Sequence, residues 1–213
     1  GDFKEEISKI FDVDLYLKVL AVDVATGNWD SYIEHGRNFY MYQDADSRKF
    51  NWIPWDYNFA LGGTFGSDFG GPGGGDPDEG NPNGNTLSEF PVDMSNSEKV
   101  LVNRLLAVPK YKERYYQGFC RLLDDNFTTE RIFPLIEQYG DLVREDVLAD
   151  PNYEWTAEQF VADLDQGDQI SGLKWVFEGQ VASLKAQLNE LFDCSSIITT
   201  LSPLETLETP GPI

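Results

Sequence analysis

Phe3, Ile7, Ile10 and Phe11 recur at helical spacing and predict an amphipathic first helix. Asp12 is placed to cap the next segment. That segment, Val13 to Ala25, is mostly apolar, with Leu15, Leu17, Val19, Leu20, Val22 and Val24. It reads as a helix buried on most sides and stopped by Gly27. The period then changes. Phe39-Tyr40-Met41-Tyr42 and Lys49-Phe50-Asn51-Trp52-Ile53 are β-prone runs, and Asp44-Ala45-Asp46-Ser47 between them is turn chemistry. Together they predict a hairpin ending at Pro54-Trp55-Asp56. Beyond Ser97 the pattern is helical again. Ser97-Glu98 starts a helix through Leu105 and Leu106, and Pro109 opens one carrying a core stripe of Tyr111, Tyr115 and Phe119. Thr129 caps Ile132 to Val147, and Thr156 caps Phe160 to Leu164. A last helix runs roughly from Leu173 to Phe192, with Trp175, Val176, Val181, Leu184 and Leu188 inward.

Between Gly62 and Leu87 the composition turns to Gly, Pro, Asn and Asp, which predicts a flexible insertion or lid. Its glycines lack the Lys-Ser or Lys-Thr of a phosphate-cradling loop. Asp76-Pro77-Asp78-Glu79 has oxygen ligands, but its prolines and missing distal Glu spoil a calcium-loop match. After Cys194 the chain becomes rich in Ser, Thr and Pro. The expected organisation is one domain over 1–194, with the insertion at 62–87, and a flexible tail over 195–213.

Charge narrows the partners. Against 37 Asp and Glu stand 16 Lys and Arg, a net charge of −21. Nucleic acid would be repelled, and no basic stripe offsets this. Divalent cations and a basic or Ser-rich protein are the favoured partners. No apolar run is long enough for a membrane span. The cysteines, Cys120 and Cys194, fit one disulfide or two free thiols equally well. With one His and no CxxC, a zinc site is excluded.

The chemistry concentrates around the hairpin. Asp30 follows the buried helix, Asn38 begins the first strand and Asp56 ends the second. A hairpin brings the residue before its first strand near the residue after its second. Asp30, Asn38 and Asp56 are therefore expected to meet at one end. Two carboxylates and an amide oxygen are hard ligands of the kind Mg²⁺ or Mn²⁺ takes. His35 and Arg37 lie between Asp30 and Asn38 as candidate phosphate contacts.

Gly27-Asn28-Trp29-Asp30-Ser31-Tyr32, then Asn38-Phe39-Tyr40-Met41-Tyr42, then Phe50-Asn51-Trp52-Ile53-Pro54-Trp55-Asp56, in this order and spacing, resemble the CotH kinase family, first known from spore coats. Asn103-Arg104-Leu105-Leu106 with Tyr111-Lys112, and the closing helix to Leu188, are similar to its helical part. The resemblance covers about residues 10 to 192. It implies an α+β fold like the C-lobe of an atypical protein kinase, mostly helical with a small hairpin. It also implies transfer of phosphate from ATP, with Mg²⁺ or Mn²⁺, to Ser or Thr of secreted or coat proteins, and hence a secreted, extracellular or spore-surface location. By motif, Asp30 resembles the catalytic Asp, and Asn38 and Asp56 the metal-binding Asn and Asp. The residues alone leave open which Asp has which role. The family often has a second acid two positions after Asp56; here that position is Asn58, a secondary metal contact at most. Nothing in residues 1–26 looks like the nucleotide lobe with its Lys, so this chain alone is expected to be inactive. The other reading is a non-catalytic adhesion or scaffold module with the same fold.

Overall fold

The computed structural model describes residues 2–61, 90–152, 156–165 and 172–198. Helix α1 (Phe3–Ile10) begins at Asp2, whose side chain accepts from the Lys4 amide. Helix α2 (Val13–Ala25) begins at Asp12, whose Oδ1 accepts from Leu15 N at 3.0 Å. That bond satisfies one of the amides a helix N-terminus leaves open. Gly27, with φ of 62°, turns the chain out of α2 in a left-handed conformation that glycine adopts at no steric cost. Strands β1 (Phe39–Gln43) and β2 (Phe50–Pro54) form one antiparallel hairpin, with Phe39 opposite Pro54 and Met41 opposite Trp52.

The helical part comprises α3 (Val100–Leu106), α4 (Pro109–Arg121), α5 (Thr129–Ala149), α6 (Ala157–Leu164), α7 (Leu173–Leu191) and α8 (Ser195–Ile198). A π-helical turn over 122–126 continues α4. The described residues are thus mostly helical with one two-stranded sheet, an α+β arrangement. Helix α2 lies at the centre of the core with Tyr16, Leu20 and Val24, and Tyr115 and Phe119 of α4 and Phe177 and Leu184 of α7 share that core. None of these helices is long and apolar enough to cross a membrane.

A two-stranded hairpin is marginal by itself and needs a partner for its apolar face. Here the partner is α2. Trp52 is buried, stacks on Phe39 at 4.0 Å between ring centroids, and meets the Tyr16 and Tyr32 rings edge-on at 4.9 and 5.0 Å. Asp12 N also donates to Phe50 O at 2.9 Å, tying β2 to the start of α2.

Several local expectations shift. Helix α3 starts at Val100 rather than at Ser97, and α5 is preceded by Thr128, not Thr129, with no side-chain cap. Thr156 does cap α6, in a reciprocal box with Gln159. Trp175 points outward, 45% exposed, because Val176, Phe177, Gln180 and Leu184 form the inward stripe of α7. Trp55 and Tyr40 are exposed too and stack on one another at 5.9 Å outside the core. Cys120 and Cys194 form a disulfide, with Cα atoms 5.6 Å apart. Past it, Ser195–Ile198 still form a helix with Ile197 buried, so the described chain reaches four residues into the segment expected to be a loose tail. The insertion at 62–87, including Asp76 to Glu79, and the tail beyond 198 lie outside the described residues.

Candidate functional site

Two segments build the site: the turn from Thr26 to Asp30 that leaves α2, and the stretch from Trp55 to Leu61 that leaves β2. Asn38 stands between them. Its side-chain amide donates to Asp30 twice, to the backbone oxygen and to Oδ2, both at 2.9 Å. Its backbone oxygen accepts from Trp55 N at 3.2 Å. Asp56 is the next residue. The three residues expected to meet therefore lie at one end of the hairpin, Asp30 and Asn38 in direct contact and Asp56 one residue beyond the bond that closes the pair. Asn38 and Asp56 both have left-handed backbones, with φ of 60° and 61°. Asn and Asp tolerate that region better than most side chains, yet it is not their resting conformation.

Asp30 is 5% exposed. Besides Asn38, it takes the Arg37 guanidinium: Nε donates to Oδ1 at 2.7 Å and Nη2 reaches the same oxygen. Three N–H donors fill three of the roughly four acceptor positions of a carboxylate, leaving about one open. The Asp56 carboxylate is half-buried and makes no hydrogen bond or ion pair to another described residue. Arg37, a phosphate contact by expectation, donates to Asp30, and its side chain remains 58% exposed. His35 is exposed and packs edge-on against Trp29 at 5.3 Å; Asn58 is exposed in the turn after Asp56.

One acidic residue at this site is absent from the sequence-based candidates. Asp23, in the last turn of α2, is 3% exposed. Its Oδ1 accepts from the Tyr57 hydroxyl at 2.9 Å and faces Asn28 Nδ2 at 3.5 Å. Burial pushes its carboxyl up to about 6, against the opposing effect of the Tyr57 and Asn28 contacts. Desolvation together with the Asp23 charge raises the Tyr57 hydroxyl far above its ordinary range. The Asn28 Oδ1 beside it is buried without a partner. The sequence does carry a signal for it: an acid between Val22 and Val24 in the last turn of a mostly apolar helix.

Among the described residues, no group of three or more His, Cys, Asp or Glu side chains could hold a metal ion. The available donors are mixed: the Asp56 carboxylate, the Asn38 amide oxygen and what remains of Asp30. These are hard oxygen atoms, and they fit Mg²⁺ or Mn²⁺ better than any softer metal.

The profile of the family described as CotH kinase protein matches residues 1–193. The chain belongs to this family. The match runs from α1 through α7, so the hairpin and the five helices α3 to α7 that follow it are one CotH unit rather than a borrowed motif. Among curated proteins, the inner spore coat protein H of Bacillus subtilis (strain 168) is 29% identical over 160 residues, which is 75% of this chain and 38% of that relative. The chain thus spans well under half the length of that CotH relative.

Proposed function

We propose that this chain carries the metal and acceptor centre of a CotH-type protein kinase, which moves the γ-phosphoryl group of ATP to Ser or Thr of a coat or secreted protein. The contact chain from Asp30 through Asn38 to Trp55 and Asp56 supports this reading most, because it gathers the three polar residues at the open end of a rigid hairpin. The left-handed backbones of Asn38 and Asp56 add weight, since strained conformations cluster at functional sites.

The two carboxylates divide the work according to what already occupies them. Asp30, held by Arg37 and Asn38, has about one acceptor position left, enough to receive a hydrogen bond from an incoming hydroxyl. Asp56, with no described partner, is the metal ligand, beside the Asn38 amide oxygen. A divalent ion bound there would neutralise charge on the β- and γ-phosphates of ATP. Arg37 keeps Asp30 from swinging out of the site and has further N–H groups for a phosphate oxygen. The resemblance to a spore coat protein favours a coat or cell-surface location, and the Cys120–Cys194 disulfide agrees with an oxidising compartment.

The test is thermal unfolding with and without Mn²⁺, followed by a radiolabelled-phosphate assay on the full-length gene product. Mn²⁺ should raise the melting temperature, since a ligand specific to the folded state stabilises it. Asp56→Asn should remove that rise, and Asp30→Ala should abolish transfer. Transfer that survives Asp30→Ala would remove Asp30 from the role of hydroxyl acceptor. A scaffold module is favoured by the outer hairpin face, where Tyr40, Tyr42, Ile53 and Trp55 are exposed; a full-length protein with no transfer and no Mn²⁺ response would support it.

A further inference from the structure

Three physical terms oppose a carboxylate at position 23. It is desolvated. It sits in the last turn of a helix, where the dipole disfavours negative charge. The chain around it carries a net charge of −21. A stability argument alone would put an apolar residue there, as at its neighbours Val22 and Val24.

What Asp23 does provide is a junction. Its backbone oxygen accepts from Asn28 N at 2.9 Å, shaping the turn that presents Asp30. Its carboxylate holds the Tyr57 hydroxyl, and Tyr57 directly follows Asp56. Two further contacts join the same segments: Leu61 N donates to Thr26 O at 2.6 Å, and the Phe59 and Trp29 rings lie 4.8 Å apart. Of these ties, the Asp23–Tyr57 bond is the one nearest Asp56 and the one made by a buried charged group.

We infer that Asp23 is a positioning residue: through Tyr57 and Asn28 it holds the Asp56 segment in register with the Asp30 turn. The inference rests on the reading of Asp30, Asn38 and Asp56 as a metal and acceptor centre. Asp23 itself touches neither ligand nor substrate. Its carboxylate sets where Asp56 emerges, at a residue whose left-handed backbone would relax if the next side chain were released.

The experiment compares three variants of the full-length protein. Tyr57→Phe removes only the hydroxyl donor, Asp23→Val removes the acceptor and the charge, and Asp23→Asn keeps an acceptor oxygen. Mn²⁺ affinity by calorimetry, phosphate transfer and hydrogen exchange over residues 27–31 and 55–61 are read on the same samples. Tyr57→Phe and Asp23→Val should each weaken Mn²⁺ binding and lower transfer about tenfold or more, since displacements of ~1 Å cost up to ~100-fold. Exchange at 55–61 should quicken. Asp23→Asn should stay within about twofold of the parent, a rescue that a merely space-filling role would not require. If Asp23→Val fails to fold, Tyr57→Phe decides, because it leaves the packing intact. Affinity, transfer and exchange all within about twofold of the parent in Tyr57→Phe would overturn the inference. If the parent neither binds Mn²⁺ nor transfers phosphate, the reading of the centre falls. Exchange then decides the tether alone: faster exchange at 55–61 in Tyr57→Phe upholds it, and unchanged exchange overturns it.

Discussion

Replacing Asp23 by Asn should stabilise the protein at neutral pH and lose that advantage in acid. Asp23 titrates near 6 in the folded chain against 3.8 for an ordinary Asp. The folded state therefore binds this proton more tightly than the unfolded state. Stability is greatest where Asp23 is protonated in both states and falls as pH rises from about 4 to about 6, by about 3 kcal/mol at the limit. An amide does not titrate, so the variant lacks this slope. It also keeps an oxygen for the Tyr57 hydroxyl. Urea unfolding of both proteins at about pH 4 and about pH 8 measures the difference twice. The other carboxylates titrate alike in the two proteins and cancel. The stability of the variant minus that of the parent should rise by about 2–3 kcal/mol between the two conditions. For a chain of this size that corresponds to about 5–10 °C in melting temperature. A difference that stays constant with pH would show that Asp23 is well solvated or paired, and the desolvation argument would be wrong.

Reducing the Cys120–Cys194 bridge should lower stability by up to about 4.5 kcal/mol on the chain-entropy estimate for its sequence separation of 74, measured by denaturant melts with and without dithiothreitol. Trp52→Ala should cost about 3–5 kcal/mol, because the ring fills the space between Phe39, Tyr16 and Tyr32, and near-ultraviolet circular dichroism should show the hairpin aromatics disordered. Gly140→Ala should stay within about 1 kcal/mol of the parent in a thermal melt, since the added Cβ displaces only the flexible end of Leu164 while Ala gains about 1 kcal/mol over Gly inside a helix.

Much of the scaffold is legible in the sequence because local rules govern it. Asp12, Pro109 and Thr156 start helices for reasons carried within one turn of chain. The hairpin follows from two aromatic runs around a polar turn, and its geometry alone brings Asn38 and Asp56 to one end. Long-range polar pairing is not legible. The Asp23–Tyr57 bond spans 34 residues, and nothing in the pattern names the partner of an acid flanked by valines in a mostly apolar helix. Arg37 reads as free for a ligand because its spacing from Asp30 fits no regular element; only the tight turn between them makes the ion pair. Hydrophobicity places Trp175 inward, whereas the inward stripe of α7 has Gln180 in it, donating to Val24 O at 3.4 Å. A buried amide in that stripe hides the helical phase from a reading based on apolar residues.

The bridge between the end of α4 and the residues after α7 also decides what a protease can release. Any single cut between positions 120 and 194 leaves two pieces joined through sulfur. A nicked molecule would run as one band on a gel without reductant and as two with it. A single cut in this stretch therefore releases no fragment until the bridge is reduced, and a gel run without reductant says little about whether the backbone between α4 and α7 is still continuous.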